Sequence, residues 1–494
     1  MLLTLFKQIV TVILGNGFSK ILLLGFEFYF AVKFGAAQYG LFAIGLSLLI
    51  LIANLSLLGL DFGIIHYLAI YQEQQREDKI SNLIQWSLIV AGIAGLITGC
   101  LLIFQAELLA HYLFKKPELA NIFMIVGFAI PFEATNQCLS AIFRGLRKFR
   151  DHVIVSDFIR NICLLGSIPL VLGFNLNLEQ IIYFLLLGSI SSSCFGFFRL
   201  KNKILLSSKF SFRNRSILKE LINFSYLLFV WNIFQKLAGR SQILLAGIFL
   251  TSEEVGVFGI FLRIILMFTF LQSAINQTVP VEFAKLNYLE QKENLKNLLE
   301  LISTALLIGC TILAIPIVVQ PQLFFKLLGQ EYSANAWMLL PLLTVQVFNV
   351  GSGPIGQLLI YCRQHFYVFI ISLFGSLVQV FISIYLMPIY GLYGAIVAES
   401  VTILTLTLMR HSFSLKILGF CGLTWDFWAL LFMGMTSALI GIIINSLNML
   451  DFSNYWISLM VTIPSYLMLI YIYSLINASF GQKKMKIFGL IKRK

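Results

Sequence analysis

Residues 16–20 read NGFSK and residues 232–236 read NIFQK, and each stretch lies within a long apolar run. In both, an asparagine and a lysine stand four residues apart, which places them on one face of a helix. A very apolar chain therefore carries the same polar pattern twice, 216 positions apart. This repetition predicts two structurally equivalent halves.

The rest of the chain is too apolar for a soluble protein. Of the 494 residues, 59% are hydrophobic and only 12% are charged, whereas soluble domains carry about 25% charged residues. Apolar runs of membrane-spanning length recur throughout. We predict an all-α polytopic membrane protein with about 14 transmembrane helices. The predicted spans are 8–32, 40–70, 80–105, 119–143, 152–173, 179–199, 219–248, 255–280, 297–319, 334–361, 366–387, 392–412, 426–446 and 455–476.

The same shift of 216 positions also places Gly40 on Gly256 and Arg147 on Arg363. Chance similarity between apolar segments is the alternative explanation, but the matching polar positions argue against it. Six predicted spans separate equivalent positions, so the two copies have the same orientation, related by a pseudo-two-fold axis along the membrane normal. The predicted domains are an N-terminal six-helix lobe (1–205), a basic cytoplasmic linker (206–218), a C-terminal six-helix lobe (219–412), and two extra helices with a basic cytoplasmic tail (413–494).

Lysine and arginine are distributed very unevenly between the two sides of the membrane. With a cytoplasmic N-terminus, the inside segments hold 26 of them and the outside connections hold 4. This asymmetry satisfies the positive-inside rule and predicts that both termini are cytoplasmic. It also explains the net charge of +13 as a consequence of topology and of attraction to membrane lipids. We therefore predict no nucleic-acid partner.

Cations inside the predicted spans are the strongest functional signal. A lone lysine or arginine at the bilayer centre costs about 2.5–3.5 kcal/mol, so such residues are expected to face a wet cavity or partners. Asn16, Lys20 and Glu27 share a face of the first span. The repeat predicts that the equivalent face of the seventh span, which carries Asn232, Lys236 and Arg240, lies opposite this face of the first span. The cavity would suit an anionic pyrophosphate or acidic sugar. The predicted substrate-binding residues are Lys20, Lys236, Arg240, Arg263, Asn16, Asn232 and Arg160.

Carboxylates in the spans give these cations an alternative role. Lys20 could pair with Glu27 or Asp61 as a buried bridge, and Asp157, one turn from Arg160, could simply neutralise that guanidinium. The carboxylates that remain candidates for ion coupling are Glu27, Asp61, Glu133 and Glu399.

Signatures of enzymatic and cofactor chemistry are missing. The sequence has no GxxxxGK[ST] phosphate loop, no HExxH motif and no CxxC pair. We therefore predict no metal, no cofactor and no enzymatic activity. GSGPIG at 351–356 interrupts the tenth predicted span, and we expect a kink there because glycine and proline break the backbone ladder.

Several stretches resemble the polysaccharide and O-antigen flippases of the multidrug/oligosaccharidyl-lipid/polysaccharide (MOP) exporter superfamily. They are AVKFGAAQYGLFAI (31–44), LGLDFGIIHYLA (58–69), AIFRGLRKFRD (141–151) and PIYGLYGAIVAES (388–400). His66 stands where relatives often carry an arginine.

The resemblance implies two six-helix lobes around a central cavity, plus two C-terminal helices. It also implies a bacterial cytoplasmic (inner) membrane protein that translocates a polyprenyl-pyrophosphate-linked oligosaccharide by alternating access. Partners would be the lipid-linked oligosaccharide, membrane lipids, and the glycan polymerase and chain-length machinery.

Two other functions stay open at this point. A cation-coupled multidrug antiporter of the same fold would need a cavity dominated by a carboxylate, whereas cations prevail here. A membrane glycan polymerase or ligase tends to need a large external loop bearing catalytic groups. The longest predicted outside connections, near 106–118 and 320–333, are short.

Overall fold

The computed structural model describes residues 2–174, 177–200, 221, 241–326, 328–447 and 452–476. Regular structure within these ranges is entirely helical. Ten helical segments of the described residues, two of which join successive helices described below, are long and apolar enough to cross a membrane. The predicted all-α polytopic architecture is confirmed. By packing, the chain divides into two compact units, residues 1–259 and 260–494, while the lobe boundaries inferred from the repeat stay a prediction.

The first unit contains nine helices in its described part, the last of which continues past residue 259. They are α1 (Leu2–Ser56), α2 (Leu60–Glu73), α3 (Glu77–Leu108), α4 (Leu119–Gly145), α5 (Phe149–Val153), α6 (Ile159–Phe174), α7 (Leu178–Leu200), α8 (241–249) and α9 (Ser252–Tyr288). Two π-helical turns extend them: Leu109–Leu113 continues α3, and Ile154–Phe158 joins α5 to α6.

The second unit contains the remaining helices. They are α10 (Lys292–Val319), α11 (Pro321–Lys326), α12 (Gln330–Ala334), α13 (Leu339–Gly351), α14 (Ile355–Tyr361), α15 (His365–Leu418), α16 (Trp425–Leu447) and α17 (Phe452–Ile476). The last two are the predicted extra C-terminal helices, and both pack against α10.

Helix α1 runs through the first predicted span and into the second, and the backbone breaks at Gly35, where φ is 76°. The predicted span 40–70, which is longer than one membrane crossing needs, is divided between α1 and α2. Helix α1 ends at Ser56, and Leu58 (φ 50°) and Gly59 (φ 73°) take left-handed backbone angles before α2 begins. A left-handed leucine is unusual, and Gly59 is the residue at this break that adopts such backbone angles readily.

The predicted interruption at GSGPIG is confirmed, because α13 ends at Gly351 and α14 begins at Ile355. A break inside an apolar helix leaves carbonyl groups that must find donors elsewhere. Ser303 Oγ donates to the Ser352 carbonyl at 3.0 Å, and Gln272 Nε2 donates to the Gly353 carbonyl at 3.4 Å. Neighbouring helices of the second unit therefore stabilise the break.

A tight glycine seam within the first unit reflects the sequence repeat. A Cβ added to Gly40 would collide with the carbonyl oxygen of Ser252, and one added to Gly256 would collide with the carbonyl oxygen of Ala36. The shift of 216 positions places Ala36 on Ser252 and Gly40 on Gly256. Each contact is therefore the image of the other, which is the reciprocity that a two-fold axis produces.

Replacing Gly256 with alanine should destabilise the protein by about 1–3 kcal/mol, because the new methyl group would meet backbone atoms that no rotamer change can move. The thermal midpoint of purified protein in detergent measures this. Gly92→Ala is the matched control, since a Cβ there meets no atom within 4 Å, and it should be neutral or slightly stabilising. Equal midpoints for the two variants would contradict the close contact.

Candidate functional site: a buried ion cluster in the first unit

Arg160 forms the centre of a cluster of charges within the membrane-spanning part of the first unit. Its Nη1 donates to Glu133 Oε1 at 2.5 Å, and its Nη2 donates to Asp157 Oδ1 at 2.6 Å. Arg160 and Glu133 are almost fully buried, whereas the Asp157 side chain is half exposed. The cluster therefore joins a buried carboxylate to an accessible one through a single guanidinium.

The local backbone explains how these side chains meet. Asp157 lies in the π-helical turn Ile154–Phe158, directly before Arg160 in α6. Such turns are rare and often occur at functional sites. Ser192 Oγ, from α7, donates to the Val155 carbonyl at 2.5 Å and supports the turn. Helix α7 also comes close at Gly188, where a Cβ would lie 2.9 Å from the Cα of Arg160.

Polar side chains of α4 and α7 complete the surroundings of Glu133. Ser189 Oγ donates to Glu133 Oε2 at 3.2 Å, and Asn136 Nδ2 donates to the Ser189 carbonyl at 3.0 Å. Ser193 Oγ then donates to Asn136 Oδ1 at 2.8 Å. A buried network of this kind fixes its members in place when its hydrogen bonds are made.

A second set of hydrogen bonds ties the cluster to α1. Asn161, next to Arg160, donates through Nδ2 to the Ser19 carbonyl at 2.9 Å and to Ser19 Oγ at 3.0 Å. The following residue, Lys20, is exposed. The lysine of the NGFSK stretch therefore stands on a segment of backbone that is anchored to the ion cluster.

The chemistry open to this cluster is an exchange of charge. With every group ionised, two carboxylates share one arginine, which leaves a net charge of −1. Burying an ion pair is costly unless its hydrogen bonds are satisfied, and here both Nη atoms of Arg160 already donate to carboxylates. Protonation of a carboxylate, or arrival of a cation, would change which partner Arg160 holds. Glu133 stays the prediction for ion coupling.

The other predicted site residues lie in different surroundings. Glu27 is fully buried on α1, although the helical spacing placed it on the same face as the exposed Lys20. Asp61 is partly buried in the first turn of α2. In the second unit, Arg263 on α9 and Glu399 on α15 are buried. The described residues do not include Asn232, Lys236 or Arg240, nor the side chain of Asn16. The assignments of these residues to substrate or ion stay predictions.

Sequence reasoning missed several polar residues that the structure brings to these places. Ser189, Asn136 and Ser193 surround Glu133 but carry no charge, so a search for intramembrane ions passes over them. In the second unit, Gln379 is buried and its Nε2 donates to Ser383 Oγ at 3.2 Å. Their only signal in the sequence is a four-residue spacing of polar groups inside an apolar run. Across the described part of the chain, no group of three His, Cys, Asp or Glu side chains suits a metal ion.

The sequence and the fold of this protein are similar to those of known proteins. A family of sequences described as "Polysaccharide biosynthesis protein" matches residues 34–337. The lipid II flippase MurJ, in an inward closed conformation, is 16% identical with a TM-score of 0.73, covering 95% of this chain and all of that one. An inward-facing multidrug resistance MATE family transporter of the MOP superfamily is 16% identical, with a TM-score of 0.61 over 80% of this chain and 94% of its own.

A MOP superfamily transporter from Pyrococcus furiosus Vc1 has 14% identity and a TM-score of 0.58, covering 84% of this chain and 96% of that one. A search of curated protein sequences gave no significant match. At these identities the structural likeness establishes the fold, and the family match covers more than half of the chain. The protein is therefore a multi-pass membrane protein with the MOP superfamily fold, and it belongs to the polysaccharide biosynthesis protein family.

Proposed function

We propose that this protein is a flippase that translocates a polyprenyl-pyrophosphate-linked oligosaccharide across a bacterial cytoplasmic membrane by alternating access. Family membership carries the proposal, because the matched family is described as one of polysaccharide biosynthesis. A protein of that family with a transporter fold is suited to moving an intermediate of polysaccharide biosynthesis across the membrane. One structural neighbour is named a lipid II flippase. Both termini would be cytoplasmic, as the distribution of basic residues predicts.

The exposed lysine of the NGFSK stretch supports an anionic cargo. Lys20 is exposed within α1, beside Ser19, which is bonded to Asn161. A pyrophosphate headgroup needs such cations, because it would otherwise cross the apolar layer unpaired. In the proposed cycle the headgroup enters an inward-open cavity while the polyprenyl chain stays in lipid. The change of conformation then exposes the headgroup outside, driven by differential affinity for the two states.

Deletion of the gene should cause a lipid-linked oligosaccharide to accumulate and the corresponding surface glycan to decrease. Mass spectrometry of polyprenyl-linked sugars from cells with and without the gene measures this and identifies the substrate. Expression of the wild-type gene from a plasmid should restore the pool. An unchanged pool with normal surface glycan would contradict the proposal.

A cation-coupled multidrug antiporter is the second candidate, because other structural neighbours are named multidrug resistance transporters. It predicts altered drug susceptibility on deletion, with no change in lipid-linked sugars. A panel of cationic drugs tested on the same two strains separates the candidates. If the protein were instead a glycan polymerase, the purified protein would polymerise repeat units. Finding that activity would make polymerase the favoured hypothesis.

A further inference from the structure

Lys116 is a buried lysine that the transport site does not use. It stands between α3 and α4, in a connection that the topology predicts to be outside, and it is only 8% exposed. Its Nζ donates to the carbonyl oxygens of Gly247 at 2.5 Å, Leu250 at 2.7 Å and Phe114 at 3.4 Å. Burial lowers the pKa of this ammonium, and the nearby Glu118 and Glu254 carboxylates act in the opposite direction.

Two of these carbonyls belong to the end of α8. The last carbonyls of a helix have no partner inside the helix, and the negative end of the helix dipole attracts a cation there. Lys116 supplies both the donors and the charge, although it is 131 residues from Gly247 in sequence. The connection before α4 therefore caps a helix that the sequence repeat assigns to the other half of the protein.

The next turn of the chain is stabilised in a different way. Thr251 N and Thr251 Oγ1 both donate to Glu254 Oε2 at 3.0 Å, and Glu254 N donates to Thr251 Oγ1 at 3.2 Å. This is a capping box at the start of α9. Helix α9 thus begins on contacts made by its own residues, whereas the end of α8 depends on Lys116.

The glycine seam that joins Ala36 and Gly40 to Ser252 and Gly256 begins two residues after Leu250 in the chain. The seam continues to Ala43, which is 2% exposed. A Cβ built on Gly259 would lie 3.8 Å from the Cβ of Ala43. These two positions are also equivalents under the shift of 216 positions. Contacts between equivalent residues lie on the pseudo-two-fold axis. Alternating access requires the two repeats to separate along this axis at one side of the membrane at a time.

We propose that Lys116 is the latch of an outer gate, which holds the end of α8 against the first repeat and so keeps the glycine seam closed to the outside. The proposal rests on the alternating access of the proposed function. When the gate opens, the Nζ of Lys116 loses the Gly247 and Leu250 carbonyls and water replaces them. The latch is one-sided, because the equivalent position in the second repeat is Tyr332.

The test measures how often the seam opens. Ala43→Cys places a thiol in the seam, and a membrane-impermeant alkylating reagent added outside reacts with it only in the open state. The alkylated peptide is quantified by mass spectrometry, so the seven native cysteines can stay. We expect Lys116→Met to raise the alkylation rate about tenfold, since it removes charge-assisted hydrogen bonds from the closed state only. Lys115→Met, at the exposed neighbouring residue, should leave the rate unchanged.

An equal alkylation rate in the Lys116→Met and Lys115→Met proteins would overturn the latch and leave Lys116 as a static helix cap. If the Lys116→Met protein does not accumulate, Lys116→Gln is used instead. It should raise the alkylation rate in the same way, because glutamine is uncharged and its side chain is shorter than that of lysine. This readout needs no transported substrate, so it stands even if the proposed function fails.

A disulfide tests the gate itself. In the double variant Ala43→Cys/Gly259→Cys, the two Cβ atoms would be 3.8 Å apart, which is close to the mean for natural disulfides. Its oxidation should block transport of the lipid-linked sugar in proteoliposomes, and reduction should restore it. Full transport with the disulfide formed would show that the seam does not open during the cycle.

Discussion

Replacing Arg160 with methionine is expected to destabilise the protein by about 3–5 kcal/mol, the usual consequence of removing one partner from a buried ion pair. Glu133 would be left 3% exposed, with its charge no longer balanced by the guanidinium. Ser189 would still donate to its Oε2, but one neutral hydrogen bond does not replace a charged partner. The thermal midpoint and the yield of monodisperse protein in detergent measure the loss.

The double variant Arg160→Met/Glu133→Gln should recover much of that stability. Glutamine carries no charge into the apolar surroundings, and its side-chain oxygen can still accept from Ser189. Asp157 would lose the same partner at a smaller cost, because its side chain is 51% exposed. A double variant as unstable as Arg160→Met would show that the buried charge of Glu133 is not the source of the effect.

Arg147→Met is the matched control for the loss of an arginine. Its ion pair with Glu73 has an N–O distance of 3.9 Å, and the two side chains are 67% and 82% exposed. Exposed pairs contribute about 0–1 kcal/mol, so this variant should keep nearly the wild-type midpoint. The contrast between two arginines of the same unit then isolates the effect of burial.

The two-fold organisation of the protein could be predicted because polar residues were repeated at a fixed distance. The shift that placed Asn16 and Lys20 on Asn232 and Lys236 also placed Gly40 on Gly256, and the structure brings the last two together. The break at GSGPIG was predictable because glycine and proline leave a chemical signature. The break at Leu58 and Gly59 was harder to predict, because a single glycine without a proline is a weak signal and a leucine in left-handed backbone leaves none.

The ion cluster was predictable only in part. Asp157 and Arg160 are three residues apart, so helical geometry alone suggests that they pair. Glu133 stands in another helix, 27 residues earlier, and a single sequence does not say which faces of α4 and α6 meet. Lys116 lies in a predicted outside connection, and nothing in KKPEL (115–119) marks one of two adjacent lysines as buried. Long-range packing decides both cases.

Replacing Lys20 and Lys236 together with alanine is expected to abolish transport while the protein still accumulates in the membrane. Lys20 is exposed, so its loss leaves no buried charge behind, and exposed substitutions usually change stability by less than about 0.5 kcal/mol. Lys236 is its equivalent in the repeat. Each hydrogen bond to a charged group contributes roughly 1.5–3 kcal/mol, so losing both should reduce binding of an anionic headgroup more than about a hundredfold.

Transport of the lipid-linked oligosaccharide into the outer leaflet of proteoliposomes measures this, with protein amounts matched by immunoblot. Lys33→Ala is the control, because Lys33 is an exposed lysine of the same helix in a predicted outside connection; it should transport normally. Lys20→Arg/Lys236→Arg keeps both charges and should retain most activity. The two single alanine variants should each lose part of the rate, since one cation stays in place. Normal transport by the double alanine variant would contradict the proposed cationic cavity.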